Sequence, residues 1–170
     1  MDLKPPPLWL LTGPIGAGKT NFCRQLAEEA RALGWQMAGL LSPALMEGGQ
    51  KTGILLEDLG SGEQRHLAYN APHPRADLRL GKWYFDPQVL VWGQQVLTNC
   101  HPCDLLIVDE LGPLEFNAGK GLTAAFDLLK AGRYRMGCTV IRPALLETAL
   151  DRWPWAEVLP VAEAATHKLL

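Results

Sequence analysis

The 170-residue chain has little of what marks several large classes of protein. It has no charge excess: 16 Lys and Arg face 18 Asp and Glu, a formal net charge of −2. That balance argues against a nucleic-acid protein held by a broad basic face. It has no apolar run near the ~18 residues of a membrane span. The only apolar block near the start, Leu8-Trp9-Leu10-Leu11, follows Pro5-Pro6-Pro7 and is too short for a signal-peptide core. A cytoplasmic location is expected. Cysteine is scarce, at four residues: Cys23, Cys100, Cys103 and Cys138. In that compartment they are expected to be reduced thiols. Cys100-His101-Pro102-Cys103 holds three soft-metal ligands but has no second Cys/His pair, which a structural zinc site usually needs. Zinc would require His66, His73 or Cys138 to converge on it; otherwise the run is a helix end and a turn, with Cys103 entering a buried strand. Internal repeats and linkers are also lacking.

What is present reads as one globular domain over residues 1–170. Hydrophobic residues make up 48% and charged residues 20%, which is ordinary globular composition. A chain this long buries about 70% of its extended surface, and 17 Gly with 13 Pro predict many turns. Strands are expected at Leu8–Thr12, Met37–Leu41, Leu105–Val108, Cys138–Ile141 and Val158–Val161. Helices are expected from Lys19 to Leu33, from Pro87 to about Asn99, from Gly121 to Lys130 and from Pro143 to Arg152. Asp86-Pro87 supplies an N-cap and a first-position proline, and Gly34 stands where a C-cap glycine belongs. Glu47-Gly48-Gly49-Gln50 predicts a hairpin turn returning through Gly53 to Leu59, and Gln64–Tyr69 reads as a third antiparallel strand. Residues 70–81 read as a loop. The sum is an α/β three-layer sandwich with a mostly parallel central sheet and a β-hairpin insertion.

The first strand runs into Gly13-Pro14-Ile15-Gly16-Ala17-Gly18-Lys19-Thr20, which fits G-x-x-x-x-G-K-[ST] and opens a helix. Glycines let successive backbone N–H groups point at phosphate oxygens, and the helix N-terminus adds partial positive charge. Lys19 is the candidate for the β- and γ-phosphates, and the Thr20 hydroxyl for Mg²⁺. A second apolar strand ends in Asp109-Glu110. Asp109 is the candidate second Mg²⁺ contact. Glu110 is the candidate base for the water attacking the γ-phosphorus.

With these residues in hand, the chain resembles the ASCE division of P-loop NTPases. More narrowly, it resembles a small nucleoside-triphosphatase family known from thermophiles and from a cancer-related human enzyme. The resemblance rests on residues 13–20, on Gly39-Leu40-Leu41-Ser42 with Glu47-Gly48-Gly49 and Gly53, on Leu80-Gly81-Lys82-Trp83, and on Ile107-Val108-Asp109-Glu110-Leu111-Gly112-Pro113-Leu114-Glu115. It implies a RecA-like sheet and Mg²⁺-dependent hydrolysis of ATP, GTP and other nucleoside triphosphates. It also implies that the strand ending Val140-Ile141-Arg142-Pro143 lies between the phosphate-loop strand and the acidic-pair strand. Arg142 would then sit near the γ-phosphate as a charge-stabilising arginine. Two departures stand out. Ala44-Leu45-Met46 replaces a Glu-Val-Arg-like triplet, and Gly112-Pro113-Leu114-Glu115 replaces Gly-Lys-Met-Glu, so that glutamate is retained and lysine lost.

Other residues have two readings each. Trp83, Tyr84, Trp92, Trp153 and Trp155 either fill a core or stack a base. Arg75, Arg79 and Lys82 either form a lid over phosphates or a solvated loop, and Lys120 at a helix start either lies on a solvated face or contacts a phosphate. Three functions compete: a nucleoside triphosphatase, a small-molecule kinase, and a nucleotide-gated switch or adaptor with slow hydrolysis. Glu110 beside Asp109 favours water as nucleophile. No guanine-reading N-K-x-D occurs, and a monomer is the default expectation.

Overall fold

The computed structural model describes residues 4–164 and 170. Its sheet has the order β10-β1-β9-β8-β2-β4-β5-β7-β6, with β3 attached to β4. The parallel half comprises β1 (Leu8–Thr12), β2 (Met37–Leu41), β8 (Cys103–Leu111), β9 (Tyr134–Ile141) and β10 (Glu157–Pro160). β9 lies between β1 and β8, pairing parallel with both, as the resemblance implied. These strands read as near-continuous apolar runs because helices cover both faces.

The sheet's two faces bury separate cores. On one side α1 (Lys19–Ala32) seats Phe22, Cys23, Leu26, Ala27 and Ala30 against Leu41, Leu105 and Ile107. On the other, α2 (Pro87–Thr98) and α4 (Ala124–Ala131) pack against Leu40, Leu106 and Val108. The strand residues alternate between the two cores, the period-two signature of a strand. Gly39 lies against the backbone of β8. Its φ is +106°, and a Cβ there would strike the Ile107 carbonyl oxygen.

Residues 44–85 build an antiparallel wing: β3 (Ala44–Glu47), β4 (Gln50–Asp58), β5 (Gln64–Tyr69), β6 (Leu78–Leu80) and β7 (Trp83–Phe85). The wing is larger than a hairpin. β6 forms inside the stretch read as a loop, because Leu78 and Leu80 find partners in Phe85 and Trp83 across the Gly81-Lys82 turn. β2 and β3 both pair with β4 but are separated at Ser42-Pro43, and proline cannot donate to a ladder. Several boundaries also move. The helix expected from Gly121 starts at Ala124. Pro143–Arg152 divides into a 3₁₀ turn, Pro143–Leu145, and α5 (Leu146–Arg152). A short helix α3 (Pro113–Phe116) stands in a loop, and α6 (Val161–Ala164) takes up the residue expected to end the last strand. The tryptophans serve as core: Trp153 is fully buried, Trp92 nearly so, and Trp83 and Trp155 pack against the same cluster.

Candidate nucleotide site

The glycine-rich loop joins the carboxyl end of β1 to the N-terminus of α1. Gly16 and Gly18 have φ of +77° and +90°, conformations that side chains rarely adopt. Gly13 is confined differently: a Cβ there would lie 2.6 Å from Val161 Cγ1. Pro14, Ile15 and Ala17 are exposed along the loop. The Lys19 ammonium folds back over the loop and donates to the carbonyls of Gly13 (2.7 Å) and Pro14 (2.9 Å). It is thus held at the mouth of the cradle by two neutral acceptors.

Beside the loop, β8 departs from regular pairing. Val108 pairs with Thr139 and Leu111 with Ile141, so Asp109 and Glu110 oppose the single residue Val140. This bulge separates the two acids. Glu110 takes a φ of +58°, the only positive value for a non-glycine among the described residues. Such a conformation costs on the order of 1–2 kcal/mol, and bulges and strained residues of this kind cluster at functional sites.

Asp109 is turned inward and is 2% exposed. The Ser42 backbone N–H donates to its Oδ2 at 3.0 Å. Burial pushes the Asp109 carboxyl above the usual range, while the Ser42 N–H, the Thr20 hydroxyl and the Lys19 charge oppose that rise. Glu110 turns outward, and Arg142 Nε donates to its Oε1 at 2.6 Å. Arg142 directly follows β9, so the strand order places it beside the bulge. Thr139 donates to the Val108 carbonyl at 2.9 Å in the buried strand pair, bracing the ladder next to the bulge.

Glu115, retained in the run after Glu110, is buried. It accepts from the N–H groups of Gly112 (2.9 Å) and Leu122 (3.0 Å), tying down the loop that follows. Burial raises its pKa, and those two N–H groups oppose the shift. Nothing in the sequence assigns a role to Ser42 or Thr139. Ser42 ends the Gly39-Leu40-Leu41-Ser42 stretch that carries the resemblance and lies just beyond a strand bordering β8, while the signal for Thr139 is its place inside the strand beside β8.

The structure therefore brings the loop, Lys19, Thr20, Asp109, Glu110 and Arg142 to one end of the parallel strands. Thr20 and Asp109 are hard oxygen donors, and a buried carboxylate with so few partners suits a hard divalent cation such as Mg²⁺. Arg75, Arg79 and Lys82 have local partners in the wing: Asp86, Tyr84 and Trp83 respectively. Lys120 is exposed. Cys100 donates to the Val96 carbonyl at the end of α2, and Cys103 opens β8. Cys138 is buried beside Cys23, while His66 and His73 stack on Tyr69. Among the described residues no three His, Cys, Asp or Glu side chains are arranged to hold a metal ion.

A family model described as NTPase matches residues 9–147. The chain belongs to this family. Its relatives include the nucleoside-triphosphatase THEP1 of Ignicoccus hospitalis, 33% identical over 66% of this chain and 64% of that protein. The match thus spans just under two thirds of that relative's length. The THEP1 of Methanocaldococcus jannaschii is 26% identical over 72% of each chain. A solved structure, a human cancer-related nucleoside triphosphatase, covers 95% of this chain and 94% of its own at a TM-score of 0.70 and 21% identity. That likeness shows the P-loop NTPase fold. Among the described residues no helix is long and apolar enough to cross a membrane.

Proposed function

We propose that the chain is a Mg²⁺-dependent nucleoside triphosphatase, acting as a single-domain, monomeric, cytoplasmic enzyme that releases phosphate from ATP, GTP and other nucleoside triphosphates. The observation carrying this reading is the bulge that turns Asp109 toward Thr20 and Glu110 toward Arg142. The loop backbone from Gly13 to Thr20 binds the phosphates. Lys19 leaves the neutral Gly13 and Pro14 carbonyls for the anionic β- and γ-phosphate oxygens, where both partners of the contact are charged. Thr20 and Asp109 hold Mg²⁺, which when bound neutralises charge on the β- and γ-oxygens. Glu110 orients a water in line with the bond that breaks and accepts its proton. Arg142 offsets charge developing on the γ-phosphoryl oxygens.

Glu110 is also the reason to prefer water over a bound acceptor, and hence hydrolysis over phosphoryl transfer to a metabolite. Phosphate release from each of ATP, GTP, CTP and UTP, with and without Mg²⁺, tests the reading. Turnover of several triphosphates, lost on chelation of Mg²⁺, is the expected result. Tight nucleotide binding with negligible release would favour a nucleotide-gated switch instead. Lys19→Ala should weaken binding and turnover together; unchanged binding would count against the loop assignment.

A further inference from the structure

The antiparallel wing has two faces of different character. Ile54, Ala68 and Phe85 are cross-strand neighbours and pack on the core beneath α2. Alternation sends Gly53, Tyr69 and Tyr84 to the opposite face. The register sets Arg79, Tyr84, Tyr69 and Gly53 in one row across β6, β7, β5 and β4. A register shift between Ile54 and Leu55 leaves Leu67 without a ladder partner, which brings His66 to the same face as Tyr69.

The outcome is a built aromatic surface. His66 stacks on Tyr69 with ring centroids 3.8 Å apart and planes 18° from parallel. Tyr69 stacks in turn on His73, at 3.9 Å and 6°. Gly53 makes room for this, since a Cβ there would lie 2.6 Å from His66 Nε2. The Arg79 guanidinium lies 5.4 Å from the Tyr84 ring centre. Arg75 has 71% of its side chain exposed, 4.0 Å from the buried Asp86 carboxylate, and donates to the Tyr69 hydroxyl over 3.4 Å.

Arg65 pairs with Glu63 and lies over the Trp92 ring, and Lys82 lies over Trp83, so Arg75 and Arg79 are the cations that stand beside the row. The row also stands at the nucleotide end of the sheet. Ser42, bonded to Asp109, leads directly into Ala44 and Leu45, which pair with Ile54 and Gly53.

We propose that this face binds single-stranded nucleic acid, with bases stacking on Tyr84 and the His66–Tyr69–His73 pile and phosphates on Arg75 and Arg79. Aromatic platforms read any unpaired base, and arginines beside them track the backbone. A duplex keeps its bases stacked on each other and offers the rings nothing. An acidic peptide would use the arginines but not the rings. The proposal stands apart from the nucleoside-triphosphatase reading, because none of these residues belongs to the phosphate loop or the acidic pair.

Fluorescence anisotropy of a labelled oligothymidine about a dozen nucleotides long tests it, using the full chain without nucleotide at about 50 mM salt. Saturable binding is expected, with duplex DNA and polyglutamate failing to compete. Tyr84→Ala and Arg79→Ala should each weaken binding about tenfold, and Tyr84→Phe should retain it. Arg79→Ala should also flatten the log–log salt slope by about 0.7. Phosphate release should be unchanged in all three variants, which separates failure here from failure of the hydrolysis reading. No saturable binding, equal competition by polyglutamate, or unchanged affinity in Tyr84→Ala would overturn the proposal. So would a loss of phosphate release in Tyr84→Ala without loss of oligonucleotide binding, which would assign the ring to the nucleoside of the triphosphate.

Discussion

Arg142 and Glu110, 32 residues apart in sequence, are joined by a 2.6 Å ion pair between the end of β9 and the bulge of β8. The pair is half-exposed, with 53% and 42% of the two side chains accessible. An ion pair in that setting contributes about 0–1 kcal/mol to stability. Its importance is geometric: it gathers the proposed base and the proposed charge-stabilising group at one point before nucleotide arrives.

Arg142→Ala should therefore barely change the melting temperature. It should slow single-turnover phosphate release by about a hundredfold, the usual loss when one preorganised transition-state donor is removed. Calorimetry beside rapid-quench kinetics checks both halves. A large stability loss with normal turnover would reverse the assignment and make the arginine structural.

Glu115 makes a stability prediction with a definite sign. Its folded-state pKa is raised by burial. The stability it contributes is thus complete below the ordinary glutamate value of about 4.3 and falls as pH rises through the raised folded value. Glu115→Gln removes that titration and sets an amide near the Gly112 and Leu122 N–H groups. The variant should be less stable than the parent, and the gap should be wider at pH 4 than at pH 7. Thermal unfolding at the two pH values measures it; a gap that widens toward pH 7 would contradict the burial argument.

Much of this site was legible because its parts are local in sequence. The loop announces itself between an apolar strand and a helix, and Asp109-Glu110 ends a four-residue apolar run. The bulge was not legible. Alternation alone sends adjacent strand residues to opposite faces, and only pairing with Val140, some thirty residues away, reveals the extra residue and the positive φ of Glu110. β6 escaped notice for a related reason: three residues carry too little periodicity, and Leu78 and Leu80 become strand only through Phe85 and Trp83. The helix expected from Gly121 begins later because Glu115 captures the Leu122 N–H and holds that stretch as a loop.

Gly39→Ala probes the parallel core. The residue has φ of +106°, and its Cβ would collide with the backbone of β8. Backbone cannot rotate away as a flexible side chain would, so a loss of about 2–4 kcal/mol is expected. Urea unfolding measures this; a shift within about 0.5 kcal/mol would mean the strands separate more easily than their register implies.

Cys103 should be a sluggish thiol. Burial pushes its pKa up to about 11, with Cys100 and Asp104 adding to the rise. The thiolate is the reactive form, so alkylation at pH 7 should be slower than for a free thiol and should accelerate as pH approaches 11. Mass spectrometry of the labelled peptide after timed iodoacetamide exposure follows it. Rapid labelling at neutral pH would show the thiol to be activated.

Glu110 is the group on which the proposed hydrolysis depends most. The decisive comparison is Mg²⁺-dependent phosphate release by the parent chain and by Glu110→Gln, with nucleotide affinity measured on both. The carboxamide keeps the shape of the side chain and removes its basicity, so binding should persist while hydrolysis falls by about a hundredfold or more. Hydrolysis at the parental rate would contradict the assignment of the water-activating base and with it the proposed mechanism.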